Sequence, residues 1–181
     1  MKKIFFLNLM LLLISWSLHS QTAIVPVGNG SSSNPYQIAS LENLYWISVN
    51  PTEWDKNFIQ TTDIDASATA GWPNGGWTPI GTMDKNYNEF PFKGTYDGKN
   101  HTISGLTINK PTSTDDLFNG MFGYVTGSTI QNLGLLDLNI TAYYFAGGLG
   151  GRLSGCTVIN CNTKGSITTS IIESGYCTGG L

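Results

Sequence analysis

The sequence predicts an all-β chain, a right-handed parallel β-helix (solenoid) with one capping helix near residues 40–49. Three observations predict it. A glycine-marked unit recurs 28 positions apart, charged residues make up only 12% of the 181 while glycine occurs 22 times, and one short helical pattern gives way to alternation of period two. Few charges, many glycines and abundant Asn, Ser and Thr suit short strands and tight turns.

The chain opens with an export signal of bacterial type. Lys2 and Lys3 precede the apolar run Ile4–Ile14, and a more polar exit ends at Ser20. These are the three parts of a secretory signal peptide. The run is short of the roughly 20 apolar residues of a membrane span. No membrane span is therefore expected after removal of residues 1–20. No Cys stands at the cleavage point to take a lipid. Loss of Lys2 and Lys3, with no acid removed, takes the net charge from −3 to −5. With one arginine, Arg152, the chain lacks the basic face of a nucleic-acid binder.

Residues 21–65 are expected to form an N-terminal cap and the first strands. Gly28 to Pro35 reads as a loop. Ser40 can cap a helix whose face carries Leu41, Leu44, Tyr45 and Ser48, and Asn50-Pro51 ends it. Asn57–Thr61 and Asp63–Asp65 read as strand pieces. Residues 66–181 are expected to be coils with glycine-marked repeats. Gly120-Met121-Phe122-Gly123, followed by Gly127-Ser128-Thr129-Ile130-Gln131-Asn132-Leu133, returns as Gly148-Leu149-Gly150-Gly151 followed by Gly155-Cys156-Thr157-Val158-Ile159-Asn160-Cys161. A looser copy runs from Phe92-Lys93-Gly94 to Leu106. A fourth begins at Gly179-Gly180-Leu181, 32 positions after Gly147-Gly148-Leu149. On this reading the chain is a piece of a longer repeat protein.

A unit of roughly 20–30 residues cannot bury its own apolar side chains, but stacked on a neighbour it can. Ile103, Ile130 and Val158 are expected to stack as one inner column. Leu106, Ile108, Phe122, Leu133, Leu135, Leu138, Ile140, Leu149, Leu153 and Ile167 also belong inside. Asn132 and Asn160 should sit at one corner and bond to backbone groups there. Asp97-Gly98 suggests a hairpin, but the repeats argue for a different arrangement of the two flanking strands. The helix Leu41–Val49 should cover the first coil.

Pro35-Tyr36-Gln37-Ile38, the helix with Leu41 and Leu44, Phe58 to Asp65, Phe92 to Gly98 and His101 to Leu106 together resemble bacterial GLUG-motif proteins. Gly147-Gly148-Leu149-Gly150-Gly151 resembles the unit that names the motif, with Gly150 where a small apolar residue is common. The resemblance covers most of residues 28–181. It implies a pectin-lyase-like β-helix in secreted or surface, often adhesin-like, proteins. GLUG repeats also accompany IgA-cleaving metallopeptidases, but their zinc signature is absent from this sequence. The resemblance offers no catalytic residue to carry over.

Chemistry is sparse. His101 is the one histidine left after signal removal. It is expected to be a corner residue, because a triad or a two-His metal site needs more. Asp63 and Asp65, two apart on a strand, point one way and would serve a cation or an acid–base pair. Turn capping is the plainer role for them, and for Asp97, Asp115 and Asp116. Cys156, Cys161 and Cys177 match no zinc spacing and are expected as unpaired residues in strand cores, with a disulfide as the alternative. No catalytic residue, cofactor or metal is expected. Exposed rings at Tyr143, Tyr144, Phe145, Trp72 and Trp77 are the candidate ligand contacts, although core or loop-anchoring roles fit these rings better. The expected function is a non-catalytic surface module that engages a host or cell-surface glycan or protein. The alternatives are a polysaccharide lyase or hydrolase on the same scaffold, with Asp63, Asp65 and His101 as its groups, or an accessory region of a larger exported peptidase.

Overall fold

The structure, a computed structural model, describes residues 21–170 together with 178 and 179. The export signal at residues 1–20, Cys177 and the pair Gly180-Leu181 lie outside the described residues.

The described residues are mostly β, and their sheets are parallel apart from one hairpin. The first sheet stacks Tyr36–Ile38, Asn57–Gln60, Thr95–Asp97, Thr129–Gln131 and Thr157–Ile159. The second stacks Ile64–Asp65, Thr102–Ser104 with Thr107–Lys110, Gly134–Ala142 and Asn162–Thr169. On a third side, Phe122–Thr126 pairs with Gly150–Ser154, and Phe118–Asn119, Phe145–Gly147 and Thr178–Gly179 pair in turn. From Asn57–Gln60 onward the chain visits these three sides in the same order, returning to the first sheet one strand further along; between Tyr36–Ile38 and Asn57–Gln60 it passes through helical segments alone.

Register confirms the repeat residue by residue. Thr129 pairs with Thr157 and Ile130 with Val158, the expected interval of 28. Gly147 pairs with Gly179, the expected interval of 32. Earlier intervals differ: Tyr36, Phe58, Tyr96 and Ile130 follow one another at 22, 38 and 34 residues. Strands stay in line because surplus residues leave through loops, which cost little when they lengthen.

One core lies between the three sides. It joins Phe58, Tyr96 and Ile130 from the first sheet, Ile64, Ile103, Leu135 and Ile140 from the second, and Phe122, Val125 and Leu149 from the third. Three expected interior residues, Leu153, Val158 and Ile167, are half-buried. They belong to the last described strands of their ladders.

The column expected through Ile103, Ile130 and Val158 is corrected. Ile130 stacks on Tyr96, whereas Ile103 stacks between Ile64 and Leu135 in the second sheet. The corner explains the shift. Four residues separate Asp97 from Thr102, but only two separate their partners Gln131 and Gly134. Lys99 and Asn100 absorb the excess with φ of 52° and 66°. Tyr96, fully buried, donates its hydroxyl hydrogen bond to Gln60 Oε1 at 3.2 Å.

The helix forms at Leu41–Val49 as expected. Ser40 Oγ accepts from the Asn43 backbone N–H at 3.3 Å, and Asn50 Nδ2 donates to the Trp46 carbonyl at 2.7 Å. Leu44 and Ile47 enter the core beside Ile38 and Phe58. Ser40→Ala is expected to cost about 1 kcal/mol through loss of the cap, measured as a fall in the thermal midpoint.

Candidate functional site

Two insertions build a groove on the third side. Two residues lie between Phe122 and Val125, but eleven lie between their partners Ile80 and Phe92. The surplus is an antiparallel hairpin, Thr82–Met83 with Glu89–Phe90. Likewise, two residues separate Ala142 from Phe145, but seven separate their partners Lys110 and Phe118. The surplus there is the loop before Phe118. Lys85 Nζ on the hairpin meets Asp115 Oδ1 on the loop at 2.8 Å, so the two insertions are tied together. Repeat proteins commonly carry such insertions on their binding face.

The floor of this groove is aromatic. Tyr124 forms a small second cluster with Met83 and Phe118, onto which Leu117 and Phe145 pack. The Phe118 ring lies 5.7 Å from Tyr124 and 5.2 Å from Phe145, centroid to centroid. Phe118 and Phe145 are register partners on adjacent strands, which sets their rings side by side. Arg152 is the register partner of Tyr124, and its guanidinium carbon sits 4.9 Å from the Tyr124 centroid and 5.6 Å from that of Phe118. Both distances fit cation–π contact. Gly151 permits this approach, since a Cβ there would lie 2.5 Å from the Asn119 backbone nitrogen. The groove holds about 530 Å³, with Glu89 and Tyr87 on the hairpin side.

Its electrostatics are uneven. Asp115 is paired with Lys85, and Asp116 with Lys110 at 2.8 Å. The hydrogen bond to Asp115 pushes the Lys85 ammonium above its ordinary pKa. Glu89 Oε1 accepts from the Tyr124 hydroxyl at 3.5 Å. Among the described residues no carboxylate lies within ion-pair distance of Arg152.

Of the candidate ligand contacts, Phe145 lines this groove. Tyr143 and Tyr144 are partly exposed beside it and meet edge to face at 4.7 Å. Trp77 is 0% and Trp72 8% exposed, and both belong to the core, Trp72 between Tyr45 and Trp77. Neither tryptophan has a ring face open to a ligand. Sequence reasoning missed Phe118, Tyr124, Met83 and Leu117. The repeat did align Tyr124 with Arg152 at 28, but Phe118 and Phe145 lie 27 apart. The difference of one arises on the third side itself: four positions lead from Phe118 to Phe122, but five lead from Phe145 to Gly150, the partner of Phe122.

The acids do not converge on a reaction centre. Asp63 Oδ1 accepts from the Thr102 backbone N–H at 2.8 Å and lies 3.3 Å from His101 Nδ1. The Thr102 bond, with lesser help from His101, outweighs desolvation and lowers the Asp63 pKa. Asp65 instead accepts from the Ser67 backbone N–H at 2.9 Å. These are turn-capping roles. Asn100, Asn132 and Asn160 do share one corner, with φ of 66°, 54° and 51°. Their side chains bond to one another and to Asp97, where backbone partners were expected: Asn160 Nδ2 donates to Asn132 Oδ1 at 3.0 Å and to Asn100 Oδ1 at 3.2 Å, and Asn132 Nδ2 donates to Asp97 Oδ1 at 3.0 Å. Stacked corners bring like side chains within reach of each other before any free backbone group. Cys156 and Cys161 are free and half-buried, their thiols donating to the Val125 and Ile130 carbonyls. Burial raises the Cys161 pKa.

Among the described residues no helix is long and apolar enough to cross a membrane. No family model matches the chain, and no solved structure matches it. Among curated proteins it is similar to halomucin of Haloquadratum walsbyi, 35% identical over 142 residues, which is 77% of this chain. The chain spans 2% of the length of that relative.

Proposed function

We propose that this chain is an exported, non-catalytic surface module, a right-handed β-helix of the GLUG-motif kind, that holds a glycan in the aromatic groove and so serves adhesion. The coil is supported by the repeated visiting order of the three sides and by the glycine register at 28 residues. Surface display is supported by the export signal in the sequence and by the likeness to halomucin. The groove carries the functional reading. The flat ring of Phe145, partly exposed beside the exposed Arg152 and backed by the buried Phe118, suits the C–H face of a sugar, and Glu89 adds an acceptor for hydroxyls. The scattered capping roles of Asp63 and Asp65 support the absence of catalysis.

The test is a glycan array probed with residues 21–181 and with the Phe145→Ala variant. The expected result is a defined set of bound glycans whose apparent affinity falls about tenfold in the variant, as for an aromatic anchor worth more than 1 kcal/mol. An array with no signal for the unaltered protein removes the glycan reading.

A further inference from the structure

We propose that the groove selects saccharides bearing an acidic group, uronate or sulfate, and that Arg152 is the residue that reads the acid. The inference rests on the glycan reading above and specifies its substrate class.

Three observations carry it. First, Arg152 stands at the groove with its guanidinium over the Tyr124 and Phe118 rings. Such stacking engages the flat face of the guanidinium and leaves its in-plane N–H donors for another partner. Second, the acids on the surrounding loops are already engaged: Asp115 by Lys85 and Asp116 by Lys110. Glu89 faces the Tyr124 hydroxyl and has no ion-pair contact with Arg152. Among the described residues a cation is thus left without a counter-ion, in a chain whose formal net charge is −3. Third, its position is fixed. Arg152 follows Gly150 and Gly151 on a strand registered to Phe122–Thr126, and Gly151 allows the close approach behind Phe118. A guanidinium held in place beside a flat apolar bed matches a molecule with a sugar face and an acid projecting from its edge. The planar fork of Arg takes carboxylate or sulfate oxygens through two parallel hydrogen bonds.

The experiment is isothermal titration of residues 21–181 with four probes: a galacturonate tetramer, its full methyl ester, a galactose tetramer carrying sulfate esters, and the neutral galactose tetramer. At least one acidic probe is expected to bind about 10- to 100-fold tighter than its neutral counterpart, the range for charge-assisted hydrogen bonds. The two acidic arms distinguish carboxylate from sulfate. Arg152→Gln is expected to abolish the preference while neutral binding persists, and Arg152→Lys to restore part of it. Matching circular dichroism melts show that the variants fold. Equal affinity for acidic and neutral probes, or a preference that survives Arg152→Gln, overturns the inference and leaves the glycan groove standing. Binding of every probe that is unchanged in Phe118→Ala and Phe145→Ala removes the groove itself, and the inference with it.

Discussion

Trp77→Ala is expected to destabilise the protein by about 4 kcal/mol, the cost of deleting a large buried ring from a packed core. Trp77 is fully buried and touches Trp72 at 6.1 Å between ring centroids. Its indole N–H donates to the Met121 carbonyl at 3.0 Å, bridging 44 residues of sequence. Truncation therefore removes packing, leaves a cavity and orphans a buried acceptor. Trp77→Phe keeps most of the ring and loses the hydrogen bond, for an expected cost of about 1–2 kcal/mol. Urea unfolding of both variants measures this, with the midpoint moving and the slope unchanged. If Trp77→Ala instead left stability intact and weakened glycan binding, the placement of Trp77 in the core would be wrong.

Asp97→Ala is expected to cost about 2–3 kcal/mol at neutral pH, because several donors lose one acceptor at once. Asp97 accepts from Gln131 Nε2 at 2.9 Å, Asn132 Nδ2 at 3.0 Å and the Lys99 backbone N–H at 2.9 Å, and its side chain is 16% exposed. Burial alone would raise its pKa. The hydrogen bonds from Asn132, Lys99 and Gln131 outweigh burial and hold it down to about 2. An acid with a depressed folded pKa stabilises the fold fully above its unfolded value and loses that contribution as pH falls through the folded one. The Asp97 contribution, about 2 kcal/mol from this linkage, is accordingly present at pH 5 and disappears between about pH 4 and pH 2. Stability measured across that window, in the unaltered protein and in Asp97→Asn, should converge at the acid end. A gap that stays constant down to pH 2 would show that the carboxylate charge is not what holds the corner.

The register at 28 residues was legible because turns of equal length carry equal sequence. Thr129 over Thr157 and Asn132 over Asn160 follow from glycines that mark the same corners. The misplacement of Ile103 came from a corner of different length. The sequence marks Asp97 to Asn100 as a turn but not that this corner is two residues longer than the next one, and the left-handed backbone of Lys99 and Asn100 takes up the difference. The roles of the rings divided in the same way. Tryptophans beside a glycine-rich loop read as anchors before ligand contacts, and the burial of Trp72 and Trp77 places both in the core.

By itself the sequence determined the class of this protein: mostly β structure, short parallel strands and a repeat interval of 28 residues. These are properties of local pattern and of composition. Only the tertiary structure decided which residues meet in the groove. The groove joins Met83, Glu89, Phe118, Phe145 and Arg152, which are spread over 70 positions and three turns of chain. Parallel register lays Phe145 over Phe118 and Arg152 over Tyr124, and two insertions of unrelated sequence fold toward each other through Lys85 and Asp115. No repeat encodes that meeting, because it arises from residues added between strands while the ladder beneath them stays in register.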